Sequence, residues 1–500
     1  MAVSSGLALS PDIGATRPAI RSFWAPSWPL AFGLVMFVCL ANTDGLPLLA
    51  DPDSHWHIAV GNWILAHGRL PHVDTFSYTF LGKPWIAKEW LSQLLLAGAY
   101  DLGGWGGVVV LGAAAFAASF ALLLRLLLRD LKPLPALLFS AAAVVLMAPH
   151  FLARPHALAF PFMLWWVGGL VRAVEERRAP EPILLLPMLL WANLHGGFTL
   201  GLMLGGALGL EALLAARDAA ERRATFFAWA KFGAAAVLVA CITPYGPESM
   251  LVTLRIFGMG DALKLIAEWG PPDFQRQPLQ ELVLLVAAYL VLSRGVKLPL
   301  LRLLIVIGLL HLFLRYARNA ELLATLAPLA MAPVLARQWP SLAAAGEPHG
   351  RFEALARPAG RGAAALGLVL AAAFAAGLIR FAGIAPPDSN MPSAALDYAR
   401  QAGLTSRVFN DYAYGGYLIR AGVPTYIDGR GELYGGDFVK SYAKAISLRG
   451  NEPLEELLDR WHVGWTLLAK DQPANQLLGR LPGWHKAFGD DQATIFVRNQ

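Results

Sequence analysis

The stretch from Asp51 to Phe80 sets three carboxylates, Asp51, Asp53 and Asp74, among His55, His57, His67, Arg69 and His72, directly behind an apolar run. A carboxylate in a partly dry setting beside a histidine suits general-base work. Desolvation and the neighbour tune its proton affinity, and it takes a proton from a hydroxyl as that oxygen attacks. Read as a helix over 53–67, the segment places Asp53 and His57 four apart on one face, with Trp56, Ile58, Val60, Trp63 and Ile64 as anchors on a membrane surface. Asp51 or Asp53 ahead of such a helix also reads as an ordinary N-cap. Asp51, Asp53, His55 and His57 have the side-chain types of a divalent-cation site, yet alternate positions cannot present all four on one helical face. A metal ion therefore stays an open possibility, and no other cofactor is expected.

A second set of groups is basic or polar. ArgProHis at 154–156 opens one apolar segment, AsnLeuHisGly at 193–196 closes a short one, and ArgTyrAlaArgAsn at 315–319 separates two more. The guanidinium fork matches phosphate oxygens, and helix ends with unpaired amides suit anions. Arg154, His156, Asn193, His195, Arg315 and Arg318, with His57, are thus candidate ligands of a lipid-linked phosphate whose tail stays in the bilayer. The bland reading for any one arginine is snorkelling toward lipid headgroups. The 245–278 loop, with Tyr245, Arg255 and Lys264, is the reserve location.

The elements that must position these groups are membrane helices. Of the 500 residues 56% are hydrophobic and 15% charged, with mean hydropathy +0.49, a balance far more apolar than a soluble domain carries. Apolar windows fall at 28–49, 105–128, 134–150, 154–174, 181–194, 197–216, 225–244, 279–293, 298–315, 320–337 and 362–384, which predicts a polytopic α-helical membrane protein of about eleven spans. The window at 181–194 is short and ends in the polar turn, as a helix does where it lines a cavity. Lys and Arg cluster in alternate connections, beginning with Arg125, Arg129 and Lys132. This puts the N-terminus in the cytoplasm and the 50–104 loop outside, together with everything after about residue 385. The first run reads as a signal anchor.

Two domains follow: 1–384, a transmembrane unit with the 50–104 loop as its chemical part, and 385–500, an outward soluble α/β domain. In the latter, SerArgValPheAsn, ValProThrTyrIleAsp, GlyTrpThrLeuLeuAla and AlaThrIlePheValArg read as strands of a mostly parallel sheet, with helices near 436–447 and 453–461. The chain has neither a dinucleotide glycine fingerprint nor a P-loop, so ATP hydrolysis is not expected, and nucleic acid is not an expected partner.

Asp53 after the first span, Gly68 at the end of the following helix and LysProTrpIleAlaLysGluTrpLeuSerGln at 83–93 together resemble the GT-C glycosyltransferases that use polyprenyl-phosphate sugars. That superfamily includes the protein O-mannosyltransferases, the aminoarabinose transferases and the RgtA/B/C/D-like group. The resemblance covers the transmembrane part in layout and 51–100 in motif. It implies a GT-C-like membrane domain and transfer of a sugar from a polyprenyl-phosphate donor to a glycan, lipid or protein acceptor outside the cytoplasmic membrane of a bacterium. It implies an inverting displacement with Asp53 as base and Asp51 as understudy. Many relatives have Glu directly after the Asp; here Ser54 follows Asp53, which leaves open which of Asp51, Asp53 and Glu89 acts. The tail segments PheAsnAspTyrAlaTyrGlyGlyTyrLeuIle and TyrIleAspGlyArg resemble tails of bacterial membrane proteins grouped with these enzymes, and there the resemblance supplies no mechanism. The competing classes are a transporter or flippase, disfavoured by the lack of an evident internal repeat, and a non-catalytic envelope assembly protein.

Overall fold

The computed structural model describes residues 22–42, 46–257, 269–344, 346, 350–449 and 453–499. Lys264 lies outside them. In a dry environment an apolar segment satisfies its backbone N–H and C=O groups only by coiling on itself, and every one of the eleven apolar windows holds a helix. These are α1 (Trp28–Ala41), the second half of α3 (Trp90–Leu127), α4 (Pro133–Met147), α5 (Pro155–Glu175), α6 (Leu185–Leu194), α7 (Phe198–Leu214), α8 (Ala219–Ala240), α9 (Pro278–Arg294), α10 (Leu300–Arg315), α11 (Ala320–Gln338) and α12 (Arg361–Phe381). Helix α2 (Asp53–His67) lies in the outer loop. Among the described residues, six helices are long and apolar enough to cross a membrane: Trp90–Leu127, Pro133–His150, Pro155–Glu175, Ala219–Ala240, Ala317–Gln338 and Arg361–Phe381. The other helices in the windows have 10–17 residues.

Two glycines shape the outer end. Gly68, at φ 62°, stops α2 in a left-handed turn that only glycine adopts without strain. Gly104, at φ 56° beside Gly103, breaks α3 in two, so its first part runs under α2 and the apolar span begins at Trp105. Helix α2 is therefore not laid on lipid. Ser54, His55, Trp56, His57, Ile58 and Val60 are buried, between the first part of α3 on one side and helix Gly415–Arg420 of the tail on the other.

The tail carries a four-stranded sheet of order β1-β2-β4-β3: β1 (Arg407–Asn410), β2 (Val463–Ala469), β3 (Trp484–Gly489) and β4 (Ala493–Arg498). Only β1 and β2 run parallel; β4 is antiparallel to both β2 and β3. The expected mostly parallel sheet is thus corrected to a mixed one. ValProThrTyrIleAsp is not a strand of it. That segment leaves the sheet and meets the outer loop, where Thr425 donates its N–H to Phe76 O at 3.2 Å and Tyr78 donates its own to Thr425 O at 3.1 Å. Thr79 Oγ1 donates to Tyr426 O at 2.7 Å, and the Tyr78 hydroxyl to Val408 O at 2.9 Å. Outer loop and tail therefore form one packed unit on the same side of the helices. At the opposite end the buried Arg302 binds Glu175 at 2.5 Å and Glu211 at 2.9 Å, a charge cluster with no part in the outer site.

Candidate active site

Asp53 is the first residue of α2. Pro52 holds the N-cap position and has no side-chain cap bond, so neither aspartate is the N-cap; Asp51, just before it, accepts the N–H of Asp53 on Oδ1 at 3.0 Å. Arg154 stands at the N-cap of α5, where Pro155 suits the first helical position. From there its guanidinium spans both carboxylates: Nε reaches Asp51 Oδ2 at 2.5 Å and Nη2 reaches Asp53 Oδ2 at 2.8 Å. Two residues on, His156 Nε2 lies 3.1 Å from Glu321 Oε1, in the first turn of α11. Glu89, the N-cap of α3, sits between two imidazoles, 3.9 Å from His57 Nε2 and 3.6 Å from His195 Nε2. The rings of His156 and His195 are 6.2 Å apart, which joins the two groups. Four helix N-termini, those of α2, α3, α5 and α11, thus meet around one polar cluster. Their aligned dipoles favour negative charge there.

The electrostatics follow from burial. His57 is held well below the ordinary histidine range, by burial first and then by Arg154 and Lys88, so it stays a neutral imidazole. Burial raises the Glu89 carboxyl, against the pull of Lys88. Lys88 Nζ pairs with Glu432 Oε1 at 2.8 Å. Burial works against both charges, but each holds the other ionised: the lysine lies above its usual range and the glutamate below its own. Glu432 belongs to helix Gly431–Ile446 of the tail, so the tail contributes a charge directly at this cluster.

No protein-family profile matches the chain, and no curated protein matches it. By structure, ArnT from Cupriavidus metallidurans in the apo state aligns over 93% of this chain and 97% of its own, with TM-score 0.51 and 13% identity. The chain shares the fold of that ArnT. The same ArnT bound to undecaprenyl phosphate aligns at TM-score 0.49 and 13% identity, over 93% and 97% of the two chains. The apo oligosaccharyltransferase of Archaeoglobus fulgidus aligns at 0.46 and 13%, over 88% of this chain and 69% of that one.

Within this fold the sequence-selected residues divide. Asp51, Asp53, Glu89, His57, Arg154, His156 and His195 come together. Asn193 acts one layer behind them: its Oδ1 accepts from Trp90 Nε1 at 2.9 Å, and its amide donates to Leu189 O at 2.9 Å and Ile242 O at 3.0 Å, which fixes the turn carrying His195. Arg318 lies over the Trp269 ring at 4.6 Å and is close enough to Lys88 and His195 to bear on their charge. Arg315 is a correction. It is exposed, stacked on Tyr316 and bonded to its hydroxyl at 2.9 Å, because the helix end turns it out of the cluster. The four-ligand metal set is not assembled either. Arg154 takes both aspartates, while His55 packs against Trp105 and Tyr417; among the described residues no group of three or more His, Cys, Asp or Glu is placed to hold a metal ion. In the reserve loop, Tyr245 is buried and ties Pro71 O to the N–H of Ala87, and the exposed Arg255 pairs with Glu248 at 2.9 Å. Sequence reasoning missed Lys88, Glu321 and Glu432. The first adjoins Glu89 and the second lies three residues past Arg318, so proximity to a candidate was the available signal.

Proposed function

We propose that the chain is an inverting glycosyltransferase. It moves a sugar from a polyprenyl-phosphate donor to an acceptor hydroxyl on the outer face of a bacterial cytoplasmic membrane, with Asp53 as general base. In this reading the eleven helices are spans, the N-terminus is cytoplasmic, and the 385–500 domain is extracytoplasmic. The observation that carries it is Asp53 itself. Its carboxylate opens a helix at the junction of membrane and outer parts, is oriented by Arg154 at 2.8 Å, and stands where four helix N-termini converge. The donor class follows from that convergence. Arg154, Lys88 and Arg318 supply cationic groups, and helix N-termini add dipoles, for a phosphate that gains charge as the glycosidic bond breaks. ArnT, whose fold the chain shares, has been captured with undecaprenyl phosphate, which is the donor carrier we infer here.

The chemistry is one displacement. The acceptor oxygen attacks the anomeric carbon, its proton passes to the base, and the carbon–oxygen bond to phosphate breaks on the opposite face, inverting the configuration. Glu89 is the second candidate base, favoured by one observation: burial raises its carboxyl beside two imidazoles.

The test uses the full chain in nanodiscs, offered undecaprenyl-phosphate-linked hexoses and pentoses in turn together with a glycan and lipid extract as acceptor. Asp53→Asn should lower transfer by about 10²–10⁴-fold, the usual cost of a lost general base, with the protein still folded. Full activity in Asp53→Asn and its loss in Glu89→Gln moves the base to Glu89. No transfer or donor cleavage by the wild type with any donor rejects the reading.

A further inference from the structure

The tail segment TyrIleAspGlyArgGlyGlu, residues 426–432, ends against the candidate base. A Cβ placed on Gly429 would lie 1.9 Å from Asp53 Oδ1, 2.7 Å from its carboxyl carbon and 2.9 Å from Trp56 Nε1. Gly429 is not among the glycines with positive φ, so its backbone conformation is open to any residue. What demands glycine there is space, and Asp53 occupies that space.

The loop cannot simply step back. On one side Arg430 clamps it, with Nε and Nη2 on Asp428 at 2.8 and 2.7 Å and Nη1 on Asp74 of the outer loop at 2.6 Å. On the other side Glu432 is tied to Lys88. Gly416 presses in beside it, its would-be Cβ 2.5 Å from Pro52 O. Asp53 therefore sits in a slot of two walls from distant parts of the chain, Arg154 holding Oδ2 and the Gly429 backbone closing on Oδ1. A methyl group on Gly429 drives the carboxylate off Arg154, since the pinned backbone yields less readily than a side chain.

We propose that Gly429 is a positioning residue for Asp53, through which the C-terminal domain sets the orientation of the base and so completes the catalytic site. This rests on the reading of Asp53 as base. It gives a role to the tail segment and makes docking of the tail a condition of transfer.

The experiment is Gly429→Ala in the full chain, assayed with the donor selected in the screen above. The expected result is a fall in kcat of about 10²-fold, the scale of a small misplacement of a reacting group, with donor KM unchanged. In an Asp53→Asn background, Gly429→Ala should add no further loss, because no base is left to orient. Tyr78→Phe, which removes a docking bond to Val408 O away from Asp53, should leave kcat near wild type. If Gly429→Ala fails to accumulate, Asp53→Ala in the same chain should restore it by vacating the space; a double variant that still fails overturns the assignment. Wild-type kcat in Gly429→Ala, or a loss of equal size in both backgrounds or in Tyr78→Phe, also overturns it. An active Asp53→Asn removes the base reading, whereas an inactive Asp53→Asn beside a normal Gly429→Ala removes only the role of Gly429.

Discussion

Replacing Arg430 with Gln should detach the C-terminal domain, and the structure sets the size of the effect. The guanidinium is fully buried, as are its partners Asp74 and Asp428, and it lies over the rings of Trp85 at 4.8 Å and Phe76 at 5.2 Å. Removing one member of a buried ion pair costs about 3–5 kcal/mol, because the remaining charge stays in the dry interior. Here two carboxylates remain, but each keeps other donors. Asp74 accepts from the Ser77 hydroxyl at 2.5 Å and the N–H groups of Phe76 and Ser77 at 3.0 and 3.1 Å. Asp428 accepts from the Tyr434 hydroxyl at 2.5 Å and Thr425 Oγ1 at 3.0 Å. The lower end of the range applies, about 3 kcal/mol, or about two powers of ten in the docking equilibrium. Arg430→Lys keeps the charge but loses the fork and the stacking, and should recover only part of this.

The pH dependence has a definite sign. Burial works against the Asp428 charge, yet Arg430 and the hydroxyl of Tyr434 hold its carboxyl below the usual range. A depressed carboxyl contributes stability that is fully present above its unfolded pKa and is lost as pH falls through its folded pKa. Wild-type docking should therefore weaken only below the ordinary carboxylate range, and in Arg430→Gln the Asp428 carboxyl, left with its burial and without the guanidinium, should take up a proton at a higher pH. Limited proteolysis of the tail in nanodiscs across denaturant and pH measures both. A variant within about 1 kcal/mol of wild type would mean that the clamp is dispensable, since buried pairs are not worth so little when broken.

Two other outcomes are expected. Arg154→Gln should weaken apparent affinity for undecaprenyl phosphate and lower transfer by at least about tenfold, since it releases both aspartates and, in the proposed reading, removes a cationic group facing the donor phosphate; Arg315→Gln, on an exposed side chain, should change neither, and equal effects would show that the cluster has been drawn in the wrong place. Cysteines introduced at Thr75 and Ser389, both exposed, should both react with an impermeant thiol reagent in intact cells; labelling at only one of them contradicts the shared outer side.

The helices were legible because their cause is local. A long apolar run has one way to satisfy its backbone away from water, and a glycine pair such as Gly103 and Gly104 marks where the helix breaks. The sheet was less legible because its causes are not local. ValProThrTyrIleAsp has strand composition, yet its backbone bonds go to Leu418, to the Asn410 side chain and, through Thr425, to Phe76 and Tyr78 of the outer loop, and no pattern within the segment announces those partners. TrpHisLysAlaPheGly, which is β3, escaped notice because only Trp484 of it is buried, so it lacks the alternation that identifies a half-buried strand. Without β3 on the far side of β4, strands separated by helices read as a parallel sheet.

At the site, residue types were readable and orientations were not. Arg315 and Arg318 are three apart and chemically identical, but a helix end at Tyr316 sends the first to solvent and leaves the second beside the cluster. Asn193 has the chemistry of a ligand, yet every bond it makes serves to hold the turn of His195. The choice between Asp51 and Asp53 has the same origin. Both touch Arg154, and composition gives no reason to prefer either. The difference lies in their remaining oxygens: Asp51 spends Oδ1 on the N–H of Asp53 and so belongs to the helix start, whereas Asp53 turns Oδ1 toward Gly429, at the wall built by the tail. A residue near the first apolar run is thus distinguished from its neighbour by a glycine from the far end of the chain, which a reading of either segment alone cannot supply.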